Sequence, residues 1–171
     1  MSRLADKITV HHTAGNYQAN ATDKKAYHYL IDNKGNVIKG VFTVADNLNC
    51  QDGKYAAHCG GNNTRNIGIA FCGNKDLNEL TLFSSQPLTR IQLETGFKLL
   101  AELSIKYDIP VTDQGIFTHY EYDKKKKKPE GKIDLIYLPP FSHIKRDQVG
   151  AFIRGKVQWY KDHFDGNFTL V

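Results

Sequence analysis

Ile8-Thr9-Val10-His11-His12-Thr13-Ala14-Gly15 (ITVHHTAG, residues 8–15) runs from β-branched residues into two adjacent histidines and then a small, turn-forming Thr-Ala-Gly. β-Branched residues alternating with others before a turn mark a strand, so Ile8 to His12 is expected to end with two imidazoles at its C-terminal edge. Side chains alternate between the faces of a strand, so His11 and His12 point in opposite directions and do not share a ligand. A strand-end histidine by itself is most simply a solvated side chain, so the meaning of this pair depends on what the rest of the chain brings to it.

Working outward, residues 20–26 (NATDKKA) suit either a short helix or a loop. Tyr27 to Asp32, a polar turn through Asn33-Lys34-Gly35-Asn36, and Val37 to Gly40 form a hairpin pattern. Ile67 to Cys72 (IGIAFC) is a continuous apolar run, as expected of a strand buried on both faces. Apolar residues at 88, 91, 99, 100, 103 and 107 fit a helix that Pro110 terminates. Gly115 to His119 reads as another strand, Lys124 to Lys128 as a loop, and Ser142 to His163 as a C-terminal helix with Val149, Phe152, Ile153 and Trp159 on one side. Strands interleaved with long helices predict an α/β fold, a mixed central β-sheet flanked by helices, in a single domain spanning residues 1–171.

The 171 residues, 40% hydrophobic and 24% charged, are those of an ordinary globular domain and exclude collagen-like and disordered classes. No apolar run approaches the roughly 18 residues that span a bilayer, so no membrane insertion is expected. The N-terminus has neither the apolar core nor the cleavage pattern of a secretory signal. A net charge of +5 favours polyanionic partners such as nucleic acid, anionic lipid or an acidic cell wall. Cys50, Cys59 and Cys72 lack CxxC spacing and read as reduced structural thiols.

Chemistry-bearing residues gather at predicted strand ends and in the loops that follow them, where α/β proteins collect ligands. They are His11-His12, Tyr27-His28-Tyr29, Ala57-His58-Cys59-Gly60-Gly61 ahead of Asn66, and His119 followed by Gly131-Lys132-Ile133-Asp134. In that order VHHTAG, YHYLIDNKGNVIKG, AAHCGGNNTRNIGIAF, FTHYE and PEGKID resemble the type 2 N-acetylmuramoyl-L-alanine amidases. This is the fold shared with T7-type phage lysozymes and peptidoglycan recognition proteins. The resemblance is clearest over residues 5–140.

It implies a Zn2+ ion held by His11, His119 and Asp134. A catalytic zinc takes three protein ligands and keeps a fourth position for water. Two imidazoles and a carboxylate leave the centre near +1, enough to bring the pKa of a bound water towards about 7. The resemblance gives Tyr27 the task of orienting that water or assisting its proton transfer, and gives Lys132 the stabilisation of the oxyanion. Asp123, four residues after His119, competes with Asp134 as the carboxylate ligand. His58 and Asn66 are candidate substrate-binding residues along the groove, although His58 equally suits packing and Asn66 suits holding loop backbone. His12 and His28 read as packing or orienting residues, and His143 and His163 as incidental.

Many relatives carry a glutamate after the Ile-Gly-Ile triplet, and this chain has Ala70 there. Either Tyr27 takes over the work of that base, or the metal site needs no carboxylate helper. The implied activity is hydrolysis of the MurNAc to L-Ala amide of bacterial peptidoglycan by a monomeric phage endolysin. It would reside in the host cytoplasm before lysis and then reach the cell wall. The rival readings are a non-catalytic recognition module and a cytoplasmic amidase that recycles muropeptides. The lysine run reads as a solvated loop, then as an attractor of anionic wall polymers. Nucleic acid comes last, because aromatic stacking residues flank the run on one side only.

Overall fold

The computed structural model describes residues 3–129 and 131–171; Glu130, quoted within PEGKID, and the first two residues lie outside the described residues. Among the described residues five strands form one sheet in the order β3-β2-β4-β1-β5. They are β1 (Lys7–His12), β2 (Tyr29–Ile31), β3 (Val37–Lys39), β4 (Asn66–Phe71) and β5 (Ile116–Thr118). The β2–β3 hairpin is antiparallel and the remaining pairings are parallel, so the sheet is mixed, as expected. Among the described residues four α-helices complete the fold: α1 (Ala21–Ala26), α2 (Arg90–Lys106), α3 (His119–Lys125) and α4 (Val149–Asp162).

Alternation gives the sheet two different faces. Ile8 and Val10 of β1, with Ile67, Ile69 and Phe71 of β4, join Leu93, Phe97 and Leu100 of α2 and Val149, Ile153 and Val157 of α4 in the main core. The opposite face carries the smaller cluster of Leu30, Ala70 and Cys72. Register sets Ala70 directly beside His11 on one side and Leu30 on the other. Burying the main face therefore aims His11 away from the helical layer. Among the described residues no helix is long and apolar enough to cross a membrane, and all three cysteines are free thiols.

Helix α2 seats against β4 through a missing side chain, because a Cβ at Gly96 would overlap the ring of the fully buried Phe71. Gly96→Ala gains helix propensity worth up to about 1 kcal/mol but overpacks a rigid core at about 1–3 kcal/mol. Overlap with a rigid, fully buried ring puts the cost at the upper end of that range, so a net loss of about 2 kcal/mol is expected in the urea midpoint; an unchanged or higher midpoint would contradict this packing.

Several elements differ from the sequence pattern. Tyr27 is not in a strand; it caps α1, whose start is set by a reciprocal Asn20/Asp23 capping box. The strand expected over Gly115 to His119 stops at Thr118, and His119 is the first residue of α3. The reason is local: Thr118 and Glu121 form a capping box, and Arg154 clamps the Glu121 carboxylate with two hydrogen bonds of 2.9 and 3.0 Å. The lysine run consequently begins inside a helix, since Lys124 and Lys125 form its last turn, where cations suit the dipole. Lys124, Lys125 and Lys128 pair with Asp147, Asp113 and Asp123. The C-terminal helix begins at Val149 rather than Ser142, because Pro139–Phe141 and Arg146–Gln148 wind as short 3-10 turns and the Gln148 side chain accepts the Lys145 N–H. Val157, not Trp159, completes the buried stripe of α4; Trp159 is 53% exposed and stacks on His163.

Candidate active site

Three side chains that the sequence holds far apart meet at the C-terminal edge of β1. His11 Nδ1 lies 2.9 Å from Asp134 Oδ2, a residue 123 positions away, and 3.2 Å from His119 Nδ1. His119 Nδ1 is 3.9 Å from the same carboxylate oxygen. These donors belong to a buried His11, His119 and Asp134 cluster able to hold a metal ion. Atoms about 2.0–2.1 Å from a tetrahedral zinc lie about 3.3 Å apart, close to the mean of these three separations.

The hydrogen-bond polarity around the cluster also fits a cation. Asn66 C=O can only accept, so His58 Nε2–H donates to it over 3.1 Å. Burial, then the charges of His11 and His28, hold His58 well below the ordinary histidine range, so its Nδ1 carries a lone pair. His11 Nε2–H donates to that lone pair over 3.1 Å. A neutral His11 thus directs its own Nδ1 lone pair at the Asp134 oxygen, an arrangement that needs a proton or a metal between them.

His119, only 6% exposed, has its Nε2 turned 3.6 Å from Asp123 Oδ1. Burial and the nearby charge of His11 push it down to about 4, outweighing Asp134 and Asp123, so it stays neutral and ligand-competent at pH 7. Burial would raise Asp134, but its hydrogen bond to His11 and the charges of His11, His12 and His119 hold it below the usual carboxylate range.

Asp123 is not in the cluster, contrary to its candidacy as a ligand. Its carboxylate sits on the far side of His119, where it pairs with Lys128 at 2.7 Å and accepts the Lys132 N–H at 2.9 Å. Asp123 thereby organises the loop that delivers Asp134. Lys132 is exposed on that loop, at a cavity of about 490 Å3 that Tyr120, Asp123, Lys124, Lys128 and Arg146 also line. The Tyr27 ring lies 5.0 Å from the His11 ring, centroid to centroid. Burial, then Asp134 and Asp23, raise its phenol, so at neutral pH it is a donor.

His58 and Asn66, each a candidate for substrate contact or for a supporting role, are both buried. His58 is 7% exposed with both ring nitrogens engaged, because the loop before β4 folds its ring under His11. Asn66 is 1% exposed; it exchanges hydrogen bonds with Thr9 and donates to Asn62 C=O, the loop-holding role. His12 accepts from Asn74 Nδ2 and Leu135 N, and so orients the residue next to Asp134. A sequence signal for the place of His58 exists in Gly68, since a glycine inside a strand marks a close approach: a Cβ there would lie 2.5 Å from the His58 ring.

His28 accepts from Gly68 N and donates through Nε2 to Asn47 Oδ1, and burial lowers it to about 4 despite the Asn47 bond. Unfolded, it takes its proton near pH 6.5. Between those values the unfolded chain binds the extra proton. The stabilisation is therefore complete above about pH 6.5 and disappears as pH falls towards 4, by up to about 3 kcal/mol. The metal-free protein is expected to show a urea midpoint that drops across this window, and a His28 ring that stays neutral by NMR until about pH 4. Titration of His28 near 6.5 in the folded state would contradict this.

Comparison with solved structures returns the same architecture. The chain is similar to the PlyG catalytic domain at 18% identity, over 98% of this chain and 89% of that one, with a TM-score of 0.57. It is similar to a point mutant of PlyL at 22% identity, over 92% and 87%, with a TM-score of 0.55. The Ph2119 endolysin from Thermus scotoductus MAT2119 bacteriophage Ph2119 matches at 19% identity, over 71% and 75%, with a TM-score of 0.50. A comparison with curated protein sequences finds no match. The family model described as N-acetylmuramoyl-L-alanine amidase matches residues 2–131, a span that takes in His11, Tyr27, His58 and His119 and stops short of Asp134. With that match over most of its length, the chain belongs to the N-acetylmuramoyl-L-alanine amidase family.

Proposed function

We propose that the protein is a zinc-dependent amidase that hydrolyses the bond between the lactyl group of N-acetylmuramic acid and the L-alanine of the stem peptide in bacterial peptidoglycan. The observation that carries the reading is the convergence of lone pairs from His11 Nδ1, His119 Nδ1 and Asp134 Oδ2, with His58 hydrogen-bonded behind His11 and the Asp123 carboxylate 3.6 Å behind His119. Zinc bound there would supply a Lewis acid and a water activated near neutral pH. His11, His119 and Asp134 would hold it.

The chain's own groups then divide the remaining work. Tyr27, a protonated phenol beside His11, donates to the attacking water or to the developing oxyanion. Ala70 is the register partner of His11, so no carboxylate stands at that position to act as base and proton handling falls to Tyr27. Lys132, held by its backbone to Asp123, supplies a cation for the charged intermediate and for the anionic stem. Likeness to the Ph2119 endolysin supports a phage setting, with synthesis in the host cytoplasm and action on the wall once the membrane is opened.

Digestion of purified walls tests the reading. Turbidity should fall with the appearance of new alanine α-amino groups and no new reducing sugar ends, and chelation should stop it until zinc is restored. New reducing ends would assign the cleavage to a glycosidic bond, and wall binding without amine release would favour a recognition module. Preference for small soluble muropeptides over intact sacculi would favour recycling over lysis.

A further inference from the structure

We propose that His58 is a positioning residue that selects the tautomer of His11 and thereby sets how firmly the centre holds its metal. The inference rests on the zinc reading above, but its geometric basis starts from a backbone group. Because Asn66 C=O is a pure acceptor, the proton of His58 must sit on Nε2; the acceptor left at Nδ1 then requires the proton of His11 to sit on its own Nε2. Only that tautomer of His11 has a lone pair at Nδ1, the atom facing Asp134 and His119.

The control is needed because of Asp134. A carboxylate 2.9 Å from His11 Nδ1 is a strong acceptor that draws the imidazole proton to the nitrogen that must bind metal. His58 competes for the same proton from the other side of the ring. Outer partners of this kind fix the orientation and basicity of metal-ligating histidines.

The surrounding fold is shaped to keep His58 there. Asn63 Oδ1 accepts from both His58 N and Cys59 N, which holds the loop, and Gly68 leaves the space above β4 into which the ring fits. The edge of His28, 5.8 Å away centroid to centroid, closes the next side. Buried in this way, His58 acts through His11 and does not touch the substrate.

Three substitutions separate this role from simple packing. In His58→Asn the side-chain oxygen replaces Nδ1 and can accept from His11. In His58→Gln the amide replaces Nε2, which keeps the bond to Asn66 and loses the acceptor. His58→Leu fills space alone. Zinc affinity, measured by competition with a chromogenic chelator, should stay within about threefold of wild type for Asn and fall about 10- to 100-fold for Gln and Leu. Equal affinities for folded Asn and Leu variants would overturn the proposal.

Failure of the wild type to bind zinc would instead sink the zinc reading. Nitrogen-15 NMR of the wild-type imidazoles tests the inference even then, and also if the variants do not fold. The His58 proton is expected on Nε2, and its appearance on Nδ1 would refute the relay.

Discussion

His119→Ala should abolish zinc retention and lower wall hydrolysis by about 10^3-fold or more, beyond the 10- to 100-fold typical of losing an outer partner. His119 offers one of the three candidate donors and is the first residue of α3, whose start is fixed independently by the Thr118/Glu121 capping box and the Arg154 clamp. The alanine variant should therefore keep its helix. What remains is His11 and Asp134 at 2.9 Å, a pair that can satisfy itself by sharing a proton. Two readouts check the result: zinc content after dialysis, and the thermal shift on adding zinc. A metal present at 100 times its Kd stabilises by about 2.7 kcal/mol, and the variant should lose that shift. Asp134→Ala should behave alike, whereas clearing that survives either change, or exhaustive chelation, would refute metal-dependent hydrolysis.

Tyr27→Phe should leave zinc binding intact and slow turnover by about 10²-fold or more, the scale of losing one acid–base or oxyanion group. Phenylalanine keeps the ring that packs 5.0 Å from His11 and removes only the hydroxyl. Because burial and Asp134 raise the phenol, the wild-type hydroxyl is protonated at neutral pH, so its loss is the loss of a donor. The defect should appear in kcat with KM little changed, and it should not be recovered at high pH. A variant with wild-type turnover would move the proton handling elsewhere. One that also loses zinc would show that Tyr27 supports the ligand sphere.

Much of the fold is legible in short stretches. The β-branched run of β1, the unbroken apolar run of β4 and the Pro110 stop after α2 each report local propensity and periodicity, which a sequence displays directly. Less legible are boundaries decided by partners elsewhere. Thr118-His119 looks like the end of a strand, yet Glu121 and Arg154, 33 positions apart, turn it into the start of a helix. Trp159 looks like core by its chemistry, while the face of α4 that meets α2 selects Val149, Ile153 and Val157.

The site divides in the same way. Residue chemistry and order in the chain offer candidates at strand ends, and the family resemblance they carry picks out His11, His119 and Asp134, with Asp123 left as a competitor. Only the folded chain decides which nitrogen of His11 faces His119 and Asp134, that Asp123 lies behind His119, and that His58 and Asn66 are buried with their polar groups engaged. A linear pattern can specify which groups are available and to which face of a strand they point. The direction of a hydrogen bond depends on where a backbone carbonyl such as that of Asn66 ends up in space, and that follows from packing the whole sheet at once.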